Sequence, residues 1–241
     1  MILEIPVFSA DDALVAARHG AGRLELCTSY LEGGLTPGGG LLRYLKDQLT
    51  LPVFVMIRPR AGDFYYSGHD ISVMKEEIRL LKDLGADGFV FGMLNRDRTV
   101  DTAACRALIR AAGNLPCTFH RAFDLVPDVE EALKQLTDCG FTRILTSGQS
   151  DSVDGGVQTL IRLIEIAGDE VVIMPGGGLR PEHLRDLWNQ GGLQEIHASC
   201  RSDRVKKVER AGGFTSVDPR LIERFKQEIA RLEQISRYRM V

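Results

Sequence analysis

The stretch Val53–Phe64 reads VFVMIRPRAGDF. Its first five residues are continuously apolar and β-prone, with no polar residue on alternate positions as a half-exposed strand would show. Arg58, Pro59, Arg60 and Asp63 follow at once. A segment suited to burial on both faces therefore delivers two guanidinium groups and a carboxylate at its tip. That combination suits a parallel sheet covered by helices, in which chemistry gathers at the C-terminal ends of buried strands.

Seven similar runs are spread along the chain: ILEIPVF (2–8), RLELC (23–27), GFVFGM (88–93), PCTFHR (116–121), RILTSG (143–148), VVIMPG (171–176) and EIHASC (195–200). Between them the apolar spacing turns helical, as in Met74, Ile78 and Leu81, in Val129, Ala132, Leu133 and Leu136, and in Ile222, Phe225, Ile229 and Leu232. Ser9 with Asp12, and Asp128 with Glu131, stand three apart as cap and first-turn acid. Asp218-Pro219 sets a cap before a helix-starting proline, and Gly20, Gly85 and Gly140 supply the left-handed residue that ends a helix. Strand then helix, eight times over, is the stoichiometry of a (β/α)8 barrel, the TIM-barrel architecture, here a single domain over residues 1–241. A doubly wound sheet is the alternative.

The chain has 241 residues, 44% hydrophobic and 26% charged, with a net charge of -3. Such a balance gives no reason to expect nucleic acid or an anionic membrane as partner. No apolar run approaches the length of a bilayer span, and the N-terminus reads as a first strand with no signal-peptide layout. Five cysteines, 27, 105, 117, 139 and 200, form an odd and irregular set. They point to a reducing, cytoplasmic setting and away from a disulfide framework. The longest polar interruption, RSDRVKKVERAGGFTSVD (201–218), reads as a loop over the barrel mouth or an interaction segment.

Strand ends and the loops after them are where a barrel holds its functional groups. They carry Glu25 and Cys27; Arg58, Arg60 and Asp63; His120, Arg121 and Asp124; Thr146 and Ser147; and His197, Ser199 and Arg201. Alternation puts Arg23, Glu25 and Cys27 on one face, and Arg58 with Arg60 on one face. If those faces point inward, Arg58 can pair with Glu25 or Glu4 while Arg60 reaches the mouth. MPGGGLRPEHL (174–184) is strand, three glycines, then a proline-opened helix, so Gly176, Gly177 and Gly178 form a candidate anion pocket. The second glycine cluster, EGGLTPGGGLL (32–42), reads as a flexible lid. All seven lysines fall in helix patterns or the late loop, which leaves Schiff-base chemistry without a nucleophile. Neither H-E-x-x-H nor G-x-S-x-G occurs. What remains is acid–base work by Glu25, His120, Asp124 and His197, with Arg58, Arg60, Asp63, Arg121, Ser147, the three glycines, Ser199 and Arg201 binding an anion.

With RLELC, EGGLTP, FVMIRPRAGDF, TFHRAFD, RILTSG and MPGGGL in order along nearly the whole chain, the sequence closely resembles the CutC copper homeostasis family. The resemblance implies a TIM-type barrel, a cytoplasmic location, self-association into a homo-oligomer and a role in copper tolerance. It carries the family's polar mouth onto Glu25, Arg58, Arg60, Asp63, His120, Arg121, Asp124, Ser147, Gly176 to Gly178 and His197, with Cys27 as the thiol after RLEL. Two departures bear on copper. The family's strand 1 commonly reads LEICV where this chain has Pro6, and its strand 8 typically reads HCSARS where this chain has HASCRS. Copper(I) favours paired soft ligands, and only Cys27 shares the presumed inward face with Glu25. Two functions stand open at this point: a copper-homeostasis protein binding copper(I) through Cys27, and an enzyme using acid–base chemistry on a small anionic or phosphorylated metabolite.

Overall fold

The computed structural model describes residues 1–188, 192–201 and 216–239. Each apolar run forms a strand: β1 Ile2–Val7, β2 Arg23–Leu26, β3 Val53–Met56, β4 Gly88–Phe91, β5 Cys117–Phe119, β6 Arg143–Thr146, β7 Val172–Pro175 and β8 Glu195–His197. Helices follow them in turn: α1 Ala10–His19, α2 Gly39–Gln48, α3 Gly68–Asp83, α4 Thr102–Ala112, α5 Val129–Cys139, α6 Val153–Ala167, α7 Leu184–Trp188 and α8 Pro219–Arg239. The strands lie in the order β7-β6-β5-β4-β3-β2-β1-β8, and every ladder is parallel. β7 abuts β8 to round off the barrel; a Cβ at Gly176 would fall 3.0 Å from the His197 Cβ. The doubly wound alternative is thereby set aside. No helix among the described residues is long and apolar enough to cross a membrane.

Local chemistry sets the helix ends. Ser9 accepts the Asp12 N–H at 3.2 Å, and Asp128 accepts from Glu130 and Glu131. Gly20, Gly85 and Gly140 adopt the left-handed backbone expected of them. Asp12 does not return to its cap. Its buried carboxylate binds the Arg201 guanidinium at 2.7 Å and the Val217 N–H at 3.0 Å, tying the exit of β8 to α1. Most of the 201–218 segment, residues 202–215, lies outside the described residues.

Two apolar layers result from strand alternation. Val53, Val55 and Ile57 face outward into the core shared with Met74, Ile78 and Leu81 of α3. Phe54 and Met56 face inward, packing with Cys27 and Val90 inside the barrel. Fully burying side chains of this size stabilises by about 1.5–3 kcal/mol each, so the alternation is strongly enforced. Arg58 continues the inward parity, which explains the guanidinium at the tip of β3.

Candidate active site at the barrel mouth

The floor of the barrel interior is a closed ion network. Arg23 donates to Glu4 and to Glu195, and Arg143 donates to Glu195 at 2.9 and 3.2 Å. Register makes this possible: Glu4 lies opposite Arg23 on β2 and opposite His197 on β8. The Phe54 ring is held between the Arg23 and Arg143 guanidiniums, 4.7 and 4.9 Å from its centre. Each charge here has an opposite charge within reach, as deep burial demands.

Glu4 joins this floor to a layer above it. Its other oxygen lies 2.8 Å from His197 Nδ1, and His197 Nε2 in turn lies 4.0 Å from Glu25 Oε2. Burial alone would raise the Glu4 pKa, but the Arg23 charge and the His197 hydrogen bond hold it at about 2. Burial opposes a charge on His197, yet the Glu4 hydrogen bond and the Glu25 and Glu4 charges raise its pKa above the ordinary imidazole value. Burial lifts Glu25 to about 7, with the His197 charge opposing and the Glu4 charge adding. Glu25 Oε2 takes the Cys27 thiol at 3.6 Å, while Oε1 is buried without a partner. Glu25 is thus a carboxyl group poised near neutrality with one free oxygen, beside an imidazole whose proton affinity is raised.

The ends of β3 and β5 bring donors to the same cavity. His120 Nδ1 accepts the Ala122 N–H at 3.2 Å, so the ring proton resides on Nε2, which is buried and unpartnered. Burial and the Arg58 charge push His120 down to about 3, which keeps it neutral. Gly92 makes room for it: a Cβ there would sit 2.6 Å from His120 Nδ1. Arg58 spends its terminal nitrogens on the carbonyls of Glu32 (2.6 Å), Gly34 and Gly62 (3.0 Å each), leaving its buried Nε without a partner. Phe64 lies against both, with its ring centre 5.1 Å from the Arg58 guanidinium and 4.7 Å from the His120 ring centre.

Glu25, Arg58, His120, Arg121 and His197 line one cavity of about 210 Å³, with Phe8, Tyr30, Met56 and Phe64 among its apolar walls. That is below the roughly 300–1,000 Å³ of pockets for drug-sized ligands, and so suits a small metabolite. Glu25 Oε1, Arg58 Nε and His120 Nε2, all buried and unpartnered, belong to three residues of this one lining. Buried polar atoms are paired in the great majority of cases, so three such atoms around one cavity mark a place for a polar ligand.

The other predicted residues fall elsewhere or serve differently. Arg58 pairs with neither Glu25 nor Glu4, because its guanidinium is taken by carbonyls of the β2 and β3 loops. Arg60 lies past the end of β3 and folds onto its own loop, bonding Asp63 (2.8 Å) and the Tyr65 carbonyl over the Tyr66 ring. It and Asp63 are outside the mouth cavity. Asp124 is saturated by Thr146, Ser147 and the Arg121 Nε at 2.8 Å, so it positions Arg121 and is no proton carrier. Ser147 belongs to that clamp and donates also to the Ser150 carbonyl.

The three glycines do not form an open cradle. Gly177 has φ +92°, and a Cβ there would lie 2.8 Å from the Arg121 Cζ; the turn is a slot for that side chain. Gly176 donates to the Thr146 carbonyl, and the helix expected after the glycines begins as the single turn Pro181–His183. Gly178, Ser199 and Arg201 line a separate cavity of about 520 Å³ between the β7 and β8 loops. The guanidinium of Arg201 lies 5.1 and 5.0 Å from the ring centres of Phe8 and Tyr30. In the second glycine cluster, Gly33 and Gly34 make the left-handed turn that presents carbonyls to Arg58, while Gly39 and Gly40 already belong to α2.

The donor set does not suit thiolate copper(I). Cys27 is the thiol of the inner layer, and burial followed by the Glu25 charge push its pKa well above the ordinary value. Cys105, Cys117, Cys139 and Cys200 pack in the outer core, and Pro6 occupies the β1 position facing Glu25 across the ladder. Glu4, Glu25 and His197 bring ligand atoms within 4.8 Å of one another, a carboxylate–imidazole set of harder character. Glu4 is already engaged by Arg23 and His197, which leaves two protein ligands.

Comparison with known proteins agrees with this architecture. A model of the CutC family matches residues 1–202. The copper homeostasis protein cutC homolog of Mus musculus is 47% identical over 203 residues, covering 84% of this chain and 75% of its own length. A family protein CutC of Salmonella typhi is 44% identical over 199 residues, 83% of this chain and 76% of its own. The solved CutC structure from Streptococcus agalactiae has a TM-score of 0.78 at 32% identity, covering 83% of this chain and 98% of that one. An aldolase with a TM-score of 0.62 at 12% identity, covering 81% and 89%, shares the fold.

Proposed function

The chain belongs to the CutC family, and from that premise we propose that its barrel mouth is the active site of an enzyme working by acid–base chemistry on a small anionic metabolite. The observation that carries this reading is the convergence of Glu25 Oε1, His120 Nε2 and Arg58 Nε, buried and unpartnered, on residues of one cavity. Charge supports the anionic class. Arg23, Arg143, Glu4 and Glu195 cancel in the floor, whereas the cavity lining above holds Arg58, Arg121 and His197, whose pKa is raised, against the single carboxyl group of Glu25. Arg121, 41% exposed at the rim and aimed by Asp124, can hold a carboxylate or phosphate from outside.

In this mechanism Glu25 accepts or returns a proton, since a group titrating near 7 exchanges protons most effectively at neutral pH. His197 stabilises the charged form of Glu25 and is itself held by Glu4. His120 cannot act as a base; it is a fixed N–H donor. The copper-homeostasis role named for the curated relatives would then depend on what this chemistry supplies to the cell. Direct copper(I) binding through Cys27 is the competing reading.

A thermal-melt screen of pyruvate, phosphoglycolate, inorganic phosphate and copper(I) separates them. The expected result is protection by a small organic anion that is lost in Arg121→Gln and kept in Arg60→Ala. Stoichiometric copper(I) binding abolished by Cys27→Ser, with no anion protecting the wild type, would overturn the proposal.

A further inference from the structure

Resting on that reading, the side chains that line the cavity narrow the reaction. We propose that the site performs proton transfer at a carbon adjacent to a carbonyl group, on a small carbonyl compound that also carries an anionic group. Its lining combines one carboxyl group, Glu25 with a free oxygen, with His120 Nε2–H and Arg58 Nε–H, which can donate hydrogen bonds. Double-carboxylate chemistry, as in glycoside hydrolysis, needs a second titrating carboxyl across the cavity. Among the described residues that line the cavity Glu25 is the one acid, and Asp124, outside the lining, has both oxygens accepting from Thr146, Ser147 and Arg121. A base sharing one cavity with two fixed donors matches instead a reaction that takes a proton from carbon while negative charge grows on oxygen.

The step balances without a further reactant. Glu25 Oε1 takes the proton, the C–H electron pair becomes a carbon–carbon π bond, and the carbonyl π pair moves to oxygen. His120 and Arg58 hydrogen-bond the enolate oxygen, and Arg121 holds the anionic group at the rim. Return of a solvent-derived proton from Glu25 to the same carbon regenerates the carbonyl and gives exchange with solvent. The low His120 pKa supports this role, because a neutral ring donates from Nε2 without surrendering its proton.

The test is proton NMR in D2O of pyruvate, 2-oxobutyrate, hydroxypyruvate and dihydroxyacetone phosphate with wild type, Glu25→Gln, Glu25→Asp and His120→Asn, each variant first checked for a wild-type circular-dichroism spectrum and a cooperative melt. Wild type is expected to wash deuterium into the α position of at least one probe. Glu25→Gln should abolish this, Glu25→Asp should restore part of it, and His120→Asn should slow it about 10²–10³-fold, the usual loss for one oxyanion donor. Exchange that survives Glu25→Gln would overturn the assignment of the base. Probes that protect the wild type from melting yet show no exchange would overturn the reaction class while leaving the anion-binding reading intact. Absence of both protection and exchange would overturn both.

Discussion

The floor and the mouth of the barrel interior are built from the same residue types and differ in how they are satisfied. In the floor, Glu195 accepts from both Arg23 and Arg143, and Arg23 reaches Glu4 as well. In the mouth, Glu25, His120 and Arg58 each keep one buried atom without a partner. Removing charges from water is costly, and only close opposite charges offset it. The floor therefore holds its charges in a self-contained set, whereas the mouth keeps three buried polar atoms unpaired. Glu4 serves both, clamping Arg23 below and orienting His197 above.

The contrast can be broken most forcefully in the floor. Glu195→Ala leaves Arg23 and Arg143 short of their shared counter-charge and should cost about 3–5 kcal/mol in a urea melt. A loss under 1 kcal/mol would mean the floor is not the closed network described. Gly92→Ala sets a methyl 2.6 Å from His120 Nδ1 and should cost about 1–3 kcal/mol while displacing the ring. Its readout is a changed His120 signal in ¹⁵N NMR with the remaining histidines unmoved.

Glu25→Gln should act in the opposite direction. The folded-state pKa of Glu25 is raised to about 7, so the folded chain keeps a proton that the unfolded chain sheds near 4.5. Stability is therefore lost as pH climbs between those values. The variant escapes that loss, matching the wild type near pH 4.5 and exceeding it above pH 7 by on the order of 1 kcal/mol. Melts compared at the two ends of this window check the sign. The smallest effect belongs to Arg60→Ala, a change in an exposed ion-paired loop that should shift stability by less than about 1 kcal/mol and leave ligand protection unaltered.

Much of the barrel was legible because burial on both faces demands continuous apolar runs, and eight of them stand in the sequence. The inward direction of Arg58 was legible for a related reason, since parity carries through from Phe54 and Met56. Parity failed at Arg60, because β3 ends at Met56 and Pro59 starts a turn of its own. The triple glycine misled: its sequence pattern is the same whether backbone N–H groups meet a ligand or a neighbouring Arg121 side chain fills the space. Partners set by cross-strand register, Glu4 with Arg23 and His197, could not be read from one strand at a time. Nor could Gly92, whose meaning lies in a ring 28 positions further along the chain.

The distinction between the two layers reduces to the protonation of their glutamates. Carboxyl-carbon NMR of the ¹³C-glutamate-labelled protein, wild type against Glu25→Gln, measures both layers in one titration. The predicted result is a carboxyl titrating near 7 that disappears in the variant, while Glu4 titrates well below the ordinary carboxylate range and Glu195 is shifted in the same downward direction. A Glu25 signal titrating with the surface glutamates would contradict it.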